Sequence, residues 1–332
     1  MNILFIGGTG NLSTDCAALL HQRGHNIFVI HRGRSPLPSA YTGLMVDRRD
    51  REGMARALQG LKIDVVLNFL GFQISDVEMD FSLFNGKIRQ YLFISSATVY
   101  AKPHRHLPLT ERSPLGNPYS EYAQNKQACE EWLLEHCRQD HFPLTIIRPS
   151  HTYSCRWIPN LVSSSDYTLV HRLQHHEPVF LHDDGQSLWT LTSAADFSVG
   201  VAGLVGHEQA LGEIFHITSD QVLTWNQIYA EICRAAHISH PNIVYLHLDR
   251  ICRAAPELTA KLAGDKAETG VFDNAKIKKL APDFDCRKNF RQGIAECMAW
   301  FQQDPRRRQP NPEVQAVYEK IVQEWKSENI KH

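Results

Sequence analysis

Tyr122 and Lys126, four residues apart and downstream of Ser96 and Thr98, are the residues whose types and spacing best suit chemistry. On a helix over 118–137 that spacing sets an ammonium beside a phenol, and the pair can make the tyrosine a proton-transfer group for hydride chemistry. A free tyrosine titrates near 10, so serving as a base near neutrality takes a drop of roughly 3 units, or about 4 kcal/mol. One unit charge ~4 Å away contributes at most about 4 kcal/mol at an effective dielectric of 20, before desolvation takes some back. A second positive charge, such as an oxidised nicotinamide ring, would complete the shift.

Such a pair needs a scaffold, and the N-terminal half reads as one. Apolar runs at 2–6, 26–30, 64–69, 91–95 and 144–148, with a shorter segment ending at Met45 and Val46, alternate with helical stretches such as 11–23 and 51–60. Continuously apolar strands between helices predict a parallel sheet covered on both faces. Straight after the first run comes Gly7-Gly8-Thr9-Gly10-Asn11-Leu12-Ser13. Glycines there permit a tight turn and let bare backbone approach a pyrophosphate, whose charge the following helix N-terminus stabilises. The expected fold is therefore α/β: a Rossmann doubly wound parallel sheet with a smaller C-terminal α/β substrate-binding domain. Residues 1–150 form the NAD(P)-binding part, with later segments near 190–205 returning to it; 151–305 are mainly substrate-binding, and 306–332 are a linker and helix. From 150 to about 190 the pattern is short, polar and irregular, before a strand at 214–218 and helices at 224–237 and 312–328.

The cofactor is NAD or NADP. An acid about twenty residues past the glycine loop would accept a ribose 2′-hydroxyl, but here the second strand ends His31-Arg32-Gly33-Arg34. Guanidinium suits phosphate bidentately, so Arg32 and Arg34 lean towards the 2′-phosphate of NADP.

Composition names no partner, and a small-molecule substrate is expected from the candidate site instead. A net charge of −1 and a pI near 7.0 supply no field that would draw nucleic acid or an anionic membrane. No apolar run reaches ~18 residues, and a cytoplasmic protein is expected. The eight cysteines show no paired ligand spacing, and His175-His176 and His104-Arg105-His106 fall in polar stretches, so no metal is expected.

With these residues together, the chain resembles an extended short-chain dehydrogenase/reductase of the NAD-dependent epimerase/dehydratase group, in an atypical branch, from Met1 to about Phe301. The resemblance implies cofactor contacts at Gly7, Gly10, Asn11, Leu12, Asp47, Arg48, Phe69, Leu70, Gly71, Pro149 and Ser150, besides Tyr122 and Lys126. It makes Tyr122 the proton-transfer residue, Lys126 its modulator and ribose ligand, Ser96 the donor to the substrate oxygen and Thr98 a nearby second donor. His151 falls on the substrate side. The implied activity is an epimerase, dehydrogenase or reductase working on a secondary alcohol of a sugar or sugar-like substrate. Nucleotide-sugar members hold the substrate diphosphate with two arginines; here those positions are Trp189 and Leu262, which points away from a nucleotide-linked sugar unless Arg156, Arg172 or Lys261 substitutes. Trp189 reads either as an exposed apolar residue or as a platform for a sugar face. Ala97 and Thr98 stand where dehydratases carry an Asp-Glu pair, which argues against 4,6-dehydration. The branch also contains chloroplast RNA-binding proteins, so a cofactor-binding regulatory or RNA-binding protein without turnover is the alternative. The family further implies a homodimer packed through a four-helix bundle, with Gln127, Glu130, Glu131 and Leu134 on the outward face of the Tyr122 helix.

Overall fold

The computed structural model describes residues 1–329; the last residues of the 306–332 segment, 330–332, lie outside them. Strands β1 (Asn2–Ile6), β2 (Asn26–His31), β3 (Thr42–Met45), β4 (Val65–Asn68), β5 (Gln90–Ile94) and β6 (Leu144–Pro149) appear where the apolar runs lie. They share one parallel sheet with a later strand, Glu213–Ile217, which pairs with β6. The order runs from that strand through β6, β5, β4, β1 and β2 to β3. The chain thus fills one flank, returns to the middle and fills the other, leaving its crevice between β1 and β4 at the carboxyl ends of the strands.

Pleating explains why these runs are apolar at every position. Ile3, Phe5, Val65, Leu67, Leu92 and Ile94 face one layer, with helices α1 (Ser13–Gln22) and 194–204 over it. Their neighbours Leu4, Ile6, Val66, Tyr91 and Phe93 face the other, against α2 (Arg51–Leu58), α3 (Ile74–Phe84) and α4 (Glu121–Gln139). Side chains alternate across a strand, so a sheet covered twice must be apolar twice. Each such burial contributes about 1.5–3 kcal/mol.

After Pro149 the chain builds a second, smaller body. Strand β7 (His151–Tyr153) pairs in parallel with Leu188–Ser193, which pairs antiparallel with Val222–Thr224. Val179–His182 and Ile243–Leu246 form a separate parallel pair. Trp225, Tyr229, Leu262, Phe290 and Tyr318 lie in the core that helices 225–235, 290–302 and 312–329 enclose. The stretch from 150 to 190 expected to be irregular therefore contains β7, helix 168–174 and two strands.

Candidate functional site

Register brings the site together. Ile6 is level with Asn68 and Ile94 with Ile147, so the loops after β1, β4, β5 and β6 emerge side by side. Gly7 sits at φ +91°, and a Cβ there would come 2.5 Å from Leu70 Cγ; only glycine lets the loop lie against the Phe69–Leu70 turn. Asn11 closes the loop from the other side: its Nδ2 donates to Thr152 O (2.8 Å) and its Oδ1 accepts from Ser154 N (3.0 Å). Its amide is thereby spent on β7 and the residue after it, while Gly7, Gly10, Asn11 and Leu12 line a cavity of about 580 Å3. Phe69, Leu70, Pro149 and Ser150 line the same cavity. Gly71 does not; it is buried, and a Cβ there would meet Phe93 Cε2 at 2.7 Å. Its expected cofactor contact becomes a packing role.

The Ser120 hydroxyl accepts from Ala123 N (3.3 Å) and starts α4 just before Tyr122. One turn later Lys126 is buried, its Nζ donating to Ile94 O at 2.7 Å and lying 4.9 Å from the Phe72 ring centre and 4.7 Å from that of Phe93. Burial lowers this ammonium to about 8. Tyr122 is 43 % exposed and lines the cavity. Burial pushes its phenol up to about 12, Ser96 draws it down and Asp265 raises it. The sequence expectation was a fall driven by Lys126. The ammonium instead lies 6.0 Å from the centre of the Tyr122 ring and is held by the Ile94 carbonyl, so the protein's own groups keep the tyrosine protonated. Thr98 stands behind Ser96: the two hydroxyl oxygens are 2.8 Å apart and Thr98 N donates to Ser96 Oγ (3.2 Å). With Thr98 donating, the Ser96 proton is free for the cavity.

Across the glycine loop a second cavity of about 820 Å3 is lined by His31, Arg32, Arg34, Asp47 and Arg48, sharing Gly7, Gly10, Leu70 and Phe72 with the first. Arg32 and Arg34 are exposed and make no ion pair among the described residues. Asp47 is exposed, its Oδ1 accepting from Arg49 N. Arg48 lines the same cavity and turns its guanidinium inward, donating to Leu70 O (2.7 Å), Asp76 O (3.0 Å) and Asp80 Oδ1 (3.0 Å). It fastens the turn after β4. Burial raises the Asp80 carboxyl to about 6, and Arg48, Tyr91 and Asn68 pull it back. Two cavities meeting over a bare glycine turn at a helix N-terminus, with unpaired arginines at the far end, fit a dinucleotide: the loop backbone could hold the pyrophosphate and Arg32 and Arg34 a ribose phosphate.

At the other end the first cavity reaches the smaller body. Trp189 is 5 % exposed, stacked 5.9 Å from Trp225, which removes the reading of an exposed apolar residue; it lines the cavity with an unpartnered Nε1. Leu262 is buried in the core. Arg172 is buried and paired with Glu177 (3.1 Å), so it offers nothing to a diphosphate, whereas Lys261 reaches the cavity wall. His151 lines the cavity with Nε2 unpartnered, and burial pushes it down to about 3, keeping the ring neutral. Sequence reading missed Phe72, which joins both cavities, and Lys102 and Phe272 at the far end of the first. Phe72 had a signal, following directly after the Phe69–Gly71 turn.

Glu130, expected outward, is fully buried against Arg148, whose Nε donates to Oε1 at 3.0 Å. Arg148 also donates to Tyr100 OH (3.0 Å) and Glu111 O (3.0 Å), tying α4 to β6 beneath the site. Among the described residues no group of three His, Cys, Asp or Glu side chains could hold a metal, and no helix is long and apolar enough to cross a membrane.

Comparison with known proteins adds a family, two relatives and a solved structure of like fold. The NAD dependent epimerase/dehydratase family matches residues 3–217. The 2′-dehydrokanamycin reductase of Streptomyces kanamyceticus is 25% identical over 290 residues, covering 86% of this chain and 81% of that one. The chloroplast stem-loop binding protein of 41 kDa b of Arabidopsis thaliana is 26% identical over 73% of this chain and 65% of its own length. The dTDP-glucose 4,6-dehydratase of Bacillus anthracis, solved in complex with NAD, superposes with a TM-score of 0.73 at 17% identity over 92% of this chain and 98% of that one.

Proposed function

This chain belongs to the NAD dependent epimerase/dehydratase family, and from that premise we propose that it is an NADP-preferring oxidoreductase that interconverts a ketone and a secondary alcohol on a sugar not linked to a nucleotide. The observation that carries the reading is the meeting of Tyr122, Ser96 and Lys126 in one cavity that continues past the glycine loop to Arg32 and Arg34. A bound nicotinamide supplies or accepts the hydride.

The chain's own groups handle the proton. Tyr122, protonated at neutral pH, donates to the carbonyl oxygen as it gains charge, and Ser96, backed by Thr98, donates to the same oxygen. Lys126 places a positive charge near them below about pH 8. The buried, apolar Leu262 and Trp189 argue against a diphosphate handle, because losing two guanidinium partners forfeits about 1.5–3 kcal/mol each. Ala97 and Thr98 bring no carboxyl to the strand end, which argues against 4,6-dehydration. The 2′-dehydrokanamycin reductase, by its name a reducer of an oxidised sugar derivative, supports the reductive direction.

Tyr122→Phe is expected to lower turnover about 10²–10⁴-fold with cofactor affinity little changed; unchanged turnover would sink the mechanism. NADP should bind more tightly than NAD in calorimetry, and Arg32→Ala should cost NADP about 1.5–3 kcal/mol while sparing NAD. The likeness to the stem-loop binding protein favours a second reading, an RNA-binding protein without turnover. Filter retention of RNA at moderate salt by protein that shows no hydride transfer would support it.

A further inference from the structure

The Lys126 ammonium is held by one carbonyl and by aromatic rings. Nζ donates to Ile94 O at 2.7 Å and lies 4.7 Å from the centre of the Phe93 ring, 4.9 Å from that of Phe72 and 6.0 Å from that of Tyr122. Phe93 is fully buried in the core of the sheet. Phe72 is 43 % exposed and lines both cavities, whereas Lys126 is 1 % exposed, so the Phe72 ring stands on the water side of the charge. Its backbone is pinned: Phe72 N (2.8 Å) and Gln73 N (3.1 Å) both donate to Asp76 Oδ2 in the first turn of α3. A ring over an ammonium does two opposed things. Excluding water disfavours the charged form, while the negative π face favours it. Here burial outweighs the rest and lowers Lys126. Of the charged and titratable groups that act on it, Cys129 and Glu130 on α4 and Asp76 on α3 push upward, and Arg48, ahead of α2, pushes downward.

We propose that Phe72 is a positioning residue acting through Lys126: its ring shuts out water from the cavity side and its π face steadies the ammonium against Phe93 and Ile94 O, so the side chain at 72 governs how readily the charge persists beside Tyr122 and Ser96. This rests on the reading of Lys126 as the charge that assists proton donation, and it adds the residue that sets that charge. The two effects of the ring are separable. Phe72→Ala removes both the cover and the π face, whereas Phe72→Leu keeps an apolar cover and removes the π face alone.

The test is a pH titration by NMR of protein carrying isotope-labelled lysine, with the Lys126 signal identified by its loss in Lys126→Met. The wild-type midpoint is expected at about 8. Phe72→Ala is expected to raise it by about one unit or more as water returns, Phe72→Leu to lower it by about half a unit, and Phe72→Tyr to restore the wild-type value. The remaining lysine signals should stay in place, which also shows that the variants fold. An unmoved midpoint in Phe72→Ala, or a Phe72→Leu midpoint above that of the wild type, would overturn the proposal. The high-pH limb of reductive kcat/KM is expected to follow the midpoint through the series. A limb that stays while the midpoint moves sinks the role of Lys126 in the reaction alone, whereas a midpoint that stays sinks the role of Phe72 alone.

Discussion

On the proposed mechanism, Lys126 is the residue whose environment most directly sets conditions for turnover. Its ammonium lies over the Phe72 and Phe93 rings, and burial lowers it to about 8. The sign follows from that direction. Below the lowered value the charge is present beside the Tyr122 and Ser96 hydroxyls that we propose donate the proton; above it the charge is lost, while Tyr122, pushed up to about 12, stays protonated. Reductive kcat/KM is therefore expected to fall as pH rises through about 8, and Lys126→Met to lower the rate and remove that limb. A profile whose limb survives the substitution would assign it to another group. That Tyr122 and Lys126 lie one turn apart on a helix was legible in sequence because a four-residue spacing is a local property. What was not legible is where the ammonium points: Ile94 O, which holds it, is 32 residues away, and no helical pattern reports a carbonyl on a neighbouring strand.

Among the elements, α4 is held by more than its apolar face. Glu130 and Arg148 pair without water, and Tyr100 and Glu111 take up more of the guanidinium. Removing one partner of a buried pair strands the other, so Glu130→Gln is expected to cost about 3–5 kcal/mol in urea unfolding, and the paired replacement Glu130→Leu with Arg148→Met to cost less than either alone. A loss under about 1 kcal/mol for Glu130→Gln would mean the pair behaves like a surface one. Helical spacing alone put Glu130 outside, because its reason for being inside is an arginine 18 residues on, across a turn. The same limit applies from 150 to 190. Long apolar strands such as β1 and β6 announce themselves through composition. β7 and Leu188–Ser193 are short, contain His151, Thr152, Thr190 and Thr192, and exist through pairing with each other across 40 residues. Gly71 errs the opposite way: its type and place are those of a ligand turn, but Phe93 occupies the space where its side chain would go.

At the scale of the whole molecule, two bodies share one cavity, and Asn11 is the stitch between them. Its carboxamide joins the glycine loop to Thr152 and Ser154, the chain's first steps out of the large sheet and into the smaller body. Whatever settles on that loop also steadies, through those two bonds, the wall of the cavity at β7. Product-inhibition kinetics should accordingly show compulsory order, with the dinucleotide entering first and leaving last. Asn11→Ala, which cuts both bonds and leaves the catalytic hydroxyls in place, should turn that pattern towards random order and raise the substrate KM more than it lowers kcat. Random order in the wild type would refute the coupling. A single amide would then act as the enzyme's sense of sequence in time, admitting the sugar only after the coenzyme has signed in.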